Sequence, residues 1–157
     1  MTYYATYPYK HWTFILAATE KGLSRLCLKE DIHEKDALMT YNDEFMLPYK
    51  KLLDAYFSGI HPQDFLMDVE GTQFQKDVWY YLKTIPYGTV SSYQDVAKGI
   101  NRPTAFRAVG GAVGKNPIML LIPCHRVIKS DHSIGGFSSD PNLKIDLLTF
   151  ERKNINR

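Results

Sequence analysis

Along the first third of the chain, apolar residues come in short runs broken by turn formers. Residues 3–7, 12–18 and 23–28 read as extended, separated by Pro8 and by Lys21-Gly22, and together predict a small antiparallel sheet. The period then changes. Over residues 43–57, Phe45, Leu52, Leu53, Tyr56 and Phe57 recur at helical spacing and Ser58-Gly59 ends the segment, while Pro48 blurs its start. Past residue 71 the helical period dominates. Thr72, followed three residues later by Gln75, forms a capping box ahead of Phe74, Val78, Trp79 and Leu82, and Pro86-Tyr87-Gly88 closes that helix. A second box, Ser91 with Gln94, starts a short helix through Ala97 closed by Gly99, and Asn101-Arg102-Pro103 opens another with proline in its first turn. Helix, short turn, helix is the outline of a helix-turn-helix. A last helix over residues 141–153 takes Asp140 as its N-cap and presents Leu143, Leu147, Leu148 and Phe150 to a core. The fold class read from this pattern is α+β: an N-terminal α/β domain over residues 1–71, with an antiparallel sheet plus a helix, then a mostly helical domain over residues 72–157.

Composition adds limits. With 157 residues, 45% hydrophobic, the chain can bury a core, which excludes a disordered or low-complexity protein. The apolar run 118–122 is far short of the roughly 20 residues a membrane span needs, and the polar opening 1–9 lacks a signal peptide's apolar region. A cytoplasmic protein with no membrane partner is expected. Two cysteines, Cys27 and Cys124, are too few for a disulfide framework or an all-cysteine zinc site. His11, His33 and His61 lack ligand spacing around Cys27, so no metal is expected.

Charge separates the halves. Residues 1–71 carry 7 basic and 11 acidic groups, residues 72–157 carry 12 and 6. Between Lys83 and Lys129 the bases Lys98, Arg102, Arg107, Lys115 and Arg126 face the single acid Asp95, a footprint suited to a polyanion or simply to solvent. The helix predicted over residues 104–115 is odd, because Gly110, Gly111 and Gly114 each cost about 1 kcal/mol relative to alanine in a helix interior. At about 100° per residue, Phe106, Val109 and Val113 share one face and Arg107 shares another with the glycines. A face of bare backbone suits a minor groove about 6 Å wide. It suits tight packing on a second helix equally well.

The decisive segment is Pro123-Cys124-His125-Arg126-Val127, a thiol on a proline-stiffened turn between cationic neighbours, which lower a thiol pKa and raise the nucleophilic thiolate fraction. Here the sequence resembles the O6-alkylguanine-DNA alkyltransferases, the methylated-DNA protein-cysteine methyltransferases. That pentapeptide matches the family's active-site signature, and Arg107-Ala108-Val109-Gly110-Gly111-Ala112 its DNA-binding helix. Tyr93-Gln94, Asn116-Pro117, Gly136-Phe137-Ser138 and Glu151 stand at the expected offsets, so the likeness spans Phe74 to Glu151. Residues 1–71 fit the family's ribonuclease H-like domain in outline.

The resemblance implies a single-turnover repair protein that moves the alkyl group of O6-alkylguanine, and of O4-alkylthymine, in double-stranded DNA irreversibly to Cys124. It works as a monomer, without a cofactor and without the cysteine-rich sensor module of inducible relatives. His125, acting through a water and oriented by Glu151, would take the thiol proton. Tyr93 would rotate the flanking phosphate and serve the leaving guanine, and Asn116 would be the hinge before the cysteine turn. Arg107 would fill the gap left by the flipped base, with Tyr93, Ala108, Gly110, Gly111 and Arg126 also on the DNA. The carbonyls of Cys124 and Val127 and the Ser138 amide would read the guanine edge between walls of Val113 and Phe137. Ser139-Asp140 replaces the family's usual glycine and is expected to narrow the pocket entrance, which favours methyl over bulkier groups. A non-enzymatic lesion binder would lack Cys124. A sequence-specific regulator would want polar readers in place of the glycines. A Cys-His hydrolase would turn over.

Overall fold

The alternation at the start of the chain becomes a sheet in the computed structural model, which describes residues 1–33, 38–135 and 137–155. Strands β1 (Tyr3–Tyr9), β2 (Trp12–Thr19) and β3 (Gly22–Leu28) run antiparallel in the order β3-β2-β1. Lys10, with φ 54, makes the first hairpin turn. Phe14, Ile15, Leu16, Ala17 and Ala18 are all buried, so β2 is covered on both faces and shows no alternation there. A short strand β4 (Thr40–Tyr41) adds in parallel to the free edge of β1, making the sheet mixed where a purely antiparallel one was predicted. Two residues are too few to carry a period.

Helix α1 (Asp43–Phe57) begins at Asn42, whose side chain accepts from Phe45 N at 2.9 Å, and buries Met46, Leu53 and Tyr56. Pro48 lies inside it rather than at its start; its side is exposed, so the carbonyl it fails to serve can reach water. The chain then returns to β3, where Leu23 N donates to Leu66 O at 2.9 Å. Gly22 is required at that crossing: its φ is +148, and a Cβ would sit 2.5 Å from the Leu66 backbone.

The chain divides into two compact units, Met1–Glu70 and Gly71–Arg157. In the second, α2 (Gln73–Leu82) carries the complete Thr72–Gln75 capping box, and the Trp79 indole donates to Ala112 O at 2.8 Å. A two-residue parallel ladder pairs β5 (Ser91–Ser92) with β6 (Val127–Ile128). The cap of α3 (Tyr93–Gly99) falls one residue later than expected, on Ser92, which accepts from Asp95 N. Helix α4 (Phe106–Gly114) also starts late. Pro103 stands outside it, in a turn where Asn101 has φ 63 and Ala105 N donates to Arg102 O, so the ring does not sit in the first turn. Helix α5 (Pro141–Ile155) follows Asp140, whose carboxylate accepts from Asn142 N at 2.9 Å. Among the described residues, no helix is long and apolar enough to cross a membrane.

Candidate active site

The β5–β6 ladder is the frame of the site. Tyr93 follows β5 directly and the turn Cys124–Arg126 precedes β6 directly, so pairing Ser91 with Val127 brings the phenol and the thiol to one place. Two tight turns deliver the thiol. Leu120, fully buried with φ 74 and bridged by Leu121 N to Met119 O at 2.8 Å, has the signature of the rare, strained γ-turn. Pro123, at φ −79 and ψ 68 with Cys124 N donating to Ile122 O, forms the relaxed inverse γ-turn. Asn116 braces the loop between them, donating to Ile122 O at 2.7 Å and accepting from Ile118 N at 3.0 Å, and it also hydrogen-bonds the Cys124 sulfur.

Cys124 lies on the wall of a cavity of about 250 Å³ lined also by Tyr93, Gly110, Val113, Gly114, Phe137 and Ser138. Gly136 falls outside the described residues. Val127 is not on the wall: its side chain is fully buried and its carbonyl accepts from Lys144 Nζ at 2.7 Å. Nor do Ser139 and Asp140 line the cavity. The Asp140 carboxylate is occupied at the start of α5, which removes the expected narrowing by that side chain.

The glycine stripe has a plain geometry. A Cβ at Gly111 or Gly114 would meet nothing within 4 Å, and one at Gly110 only the Tyr93 ring at 3.8 Å. The stripe is therefore open, and among the described residues no second helix packs on it. Arg107 and Ala108 are exposed beside it, while Val109, Ala112 and Val113 bury the opposite side. Phe106, expected on that apolar face, is instead 38% exposed and lines a groove with Arg107, Tyr93 and Lys129.

Behind the thiol is a buried ionic cluster. His125 Nε2 lies 2.5 Å from Glu151 Oε2. Arg126, assigned to DNA from the sequence, is fully buried and cannot reach a phosphate: its Nε and Nη2 donate to Glu151 at 2.7 and 3.0 Å, and its Nη1 to Ile85 O at 2.8 Å. Gly88 N is a further donor to Glu151 Oε1, at 3.1 Å. Lys144, not foreseen at all, is buried with its charge facing Cys124 and Phe137. Its sequence signal was present, since Lys144, Leu147 and Glu151 share one stripe of α5 at i, i+3 and i+7.

These surroundings reverse the expected state of the thiol. Burial pushes Cys124 above the usual cysteine value, outweighing the Asn116 hydrogen bond, the Lys144 charge and the local amides that favour thiolate. Burial likewise pushes His125 down; Glu151 opposes that shift, and Arg126 and Lys144 reinforce it. Burial alone would raise Glu151, but the hydrogen bonds and charges of His125 and Arg126 win and hold it well below the carboxylate range. Tyr93 is pushed up by burial and by the neighbouring thiol. The resting set is a neutral thiol, a neutral imidazole and an ionised carboxylate, a nucleophile, base and orienter waiting for a substrate.

Both units of the chain match known protein families. Residues 2–69 match the family described as "6-O-methylguanine DNA methyltransferase, ribonuclease-like domain", and residues 73–153 match its "DNA binding domain". A methylated-DNA–protein-cysteine methyltransferase of Methanosarcina barkeri is 43% identical, covering 90% of this chain and 91% of its own. An inducible one from Bacillus subtilis is 37% identical, covering 96% and 90%. The crystal structure of Mycobacterium tuberculosis OGT in complex with DNA superposes with a TM-score of 0.88 at 35% identity, covering 97% of this chain and 94% of that one. The two family matches together span residues 2–69 and 73–153, and the chain belongs to the 6-O-methylguanine DNA methyltransferases.

Proposed function

We propose that this chain is a monomeric, cytoplasmic DNA repair protein that accepts the alkyl group of O6-alkylguanine, and of O4-alkylthymine, from double-stranded DNA onto Cys124. One observation carries the reading: the cavity that holds the thiol is walled by Gly110 and Gly114 of α4, whose outer stripe is open. A helix so bare can approach the floor of the minor groove, and a base rotated out of the stack at that point enters the cavity beside it. Arg107, exposed on the same face, fills the vacated place.

In the reaction, the Cys124 Sγ attacks the alkyl carbon. The S–C bond forms as the C–O6 bond breaks, the thiol proton passes to His125 through a water, and Tyr93 supplies a hydrogen bond or proton to the departing guanine. Glu151 holds the imidazole for this transfer and stabilises the imidazolium. The thioether product is resistant to hydrolysis, so each molecule acts once. Duplex DNA with labelled O6-methylguanine tests the reading. About one label per protein, on Cys124 by mass spectrometry and abolished by Cys124→Ser, is expected. Binding without transfer would leave a lesion marker, and multiple turnovers a hydrolase.

A further inference from the structure

Arg126 has no route to DNA, and its hydrogen bonds to Glu151 and Ile85 O are spent inside the protein. Glu151 has about four acceptor positions on its two oxygens, and four donors fill them: Gly88 N and Arg126 Nε on Oε1, Arg126 Nη2 and His125 Nε2 on Oε2. A carboxylate saturated in this way carries no proton. The hydrogen shared with His125 therefore belongs to Nε2, and the lone pair of the ring is on Nδ1.

We infer that Arg126 is a positioning residue for the proton transfer: it locks Glu151 as an oriented anion and, by its own charge, keeps the His125 ring neutral and able to accept the thiol proton. The logic is one of balance. Glu151 alone beside the ring would favour imidazolium, and a ring already charged cannot act as the base. Burial opposes that bias most strongly, and the Arg126 charge from within the same turn and the Lys144 charge on α5 add to the opposition. Cys124, the other titrating group on the turn, is the proton source. The inference rests on Cys124 being the alkyl acceptor, yet the state of His125 can be read without any transfer.

The experiment is a nitrogen NMR titration of His125 in the unalkylated full chain, paired with the pH profile of single-turnover methyl transfer. In the wild type, the Nε2–H tautomer is expected, with ring protonation below the ordinary histidine value of 6.5. Arg126→Gln should raise the pH of ring protonation by about one pH unit. The acidic limb of transfer should move with it, so that the rate falls most at mildly acidic pH. Arg126→Lys, which keeps the charge, should restore the wild-type titration. A purely structural arginine would lower the amount of folded protein and leave both titrations in place. Should Arg126→Gln not fold, the wild type and Arg126→Lys still decide: an Nδ1–H tautomer, or a ring charged at neutral pH, overturns the inference. Absence of any methyl transfer by wild type would instead overturn the acceptor reading, with the ring titration still standing for Arg126.

Discussion

The two units bury very different things. In Met1–Glu70 the buried side chains of the described residues are apolar, and Cys27 sits among them on β3 opposite Ile15. In Gly71–Arg157 the buried set includes His125, Arg126, Lys144 and Glu151, all packed behind Cys124. Both thiols are nearly inaccessible, so burial does not make a cysteine inert or reactive. What differs is the neighbourhood: Cys27 lies on a strand of the sheet, while Cys124 has an amide, an imidazole and buried cations beside it. The second unit carries folding costs in its desolvated, hydrogen-bonded charges and its buried positive-φ leucine, and neither feature is found among the buried described residues of the first unit.

The harshest way to break this contrast is Glu151→Gln. It leaves Arg126 buried without its anion, which costs about 3–5 kcal/mol, and it removes the group that orients His125, which costs about 10²–10⁴-fold in transfer. Urea midpoints and single-turnover rates measure the two. The same residue gives an acid signature. A carboxyl held below its unfolded value of 4.5 stabilises fully above that value, and the contribution is lost as pH falls towards the folded value, because the unfolded chain takes up the proton first. His125 acts in the same direction below 6.5, since its folded value is lowered. The wild type should therefore lose stability steadily on acidification from pH 6.5, and Glu151→Gln should flatten the part below 4.5. An unchanged acid slope in the variant would place the titration elsewhere.

Arg107→Ala comes next. Filling the stack offsets an unstacking cost of a few kcal/mol, so transfer from duplex should slow by about tenfold or more while transfer from the free base changes little. Equal losses on both substrates would remove Arg107 from base rotation. The glycines sharpen the point with opposite signs. Since nothing lies within 4 Å of a Cβ at Gly111, Gly111→Ala should raise stability by about 1 kcal/mol and yet slow transfer from duplex. A gain in stability with no loss on duplex would mean that the stripe faces only solvent.

These residues also mark what could be read without a structure. The Thr72–Gln75 box and the glycine stripe were legible because caps and helical periods are local. The choice between helix packing and an open face was not, since both demand small residues; only the empty space outside Gly111 and Gly114 separates them. Arg126 was misread for a related reason. Six of its neighbours in sequence, residues 122–128 without itself, are buried, but a single arginine after a reactive cysteine looks as suitable for phosphate as for a carboxylate 25 positions away. Ser91 and Pro103 were misplaced by one strand pair and one turn, contacts that no local pattern encodes.

Cys27 gives the smallest effect and the cleanest control. It is 7% exposed on β3, with Leu26 and Leu28 fully buried on either side. Cys27→Ala removes one sulfur from a packed sheet and should cost about 1 kcal/mol in urea unfolding, with the transfer rate and the one-to-one stoichiometry unchanged. Treating the folded protein with methylated duplex and mapping the adduct should find it on Cys124 alone in both proteins. If Cys27→Ala slowed the reaction beyond what its stability loss explains, the chemistry would not be confined to the helical unit. The two cysteines are similarly buried, 7% and 4% exposed, so the adduct site reports the cavity and the neighbours of Cys124 and not solvent exposure alone.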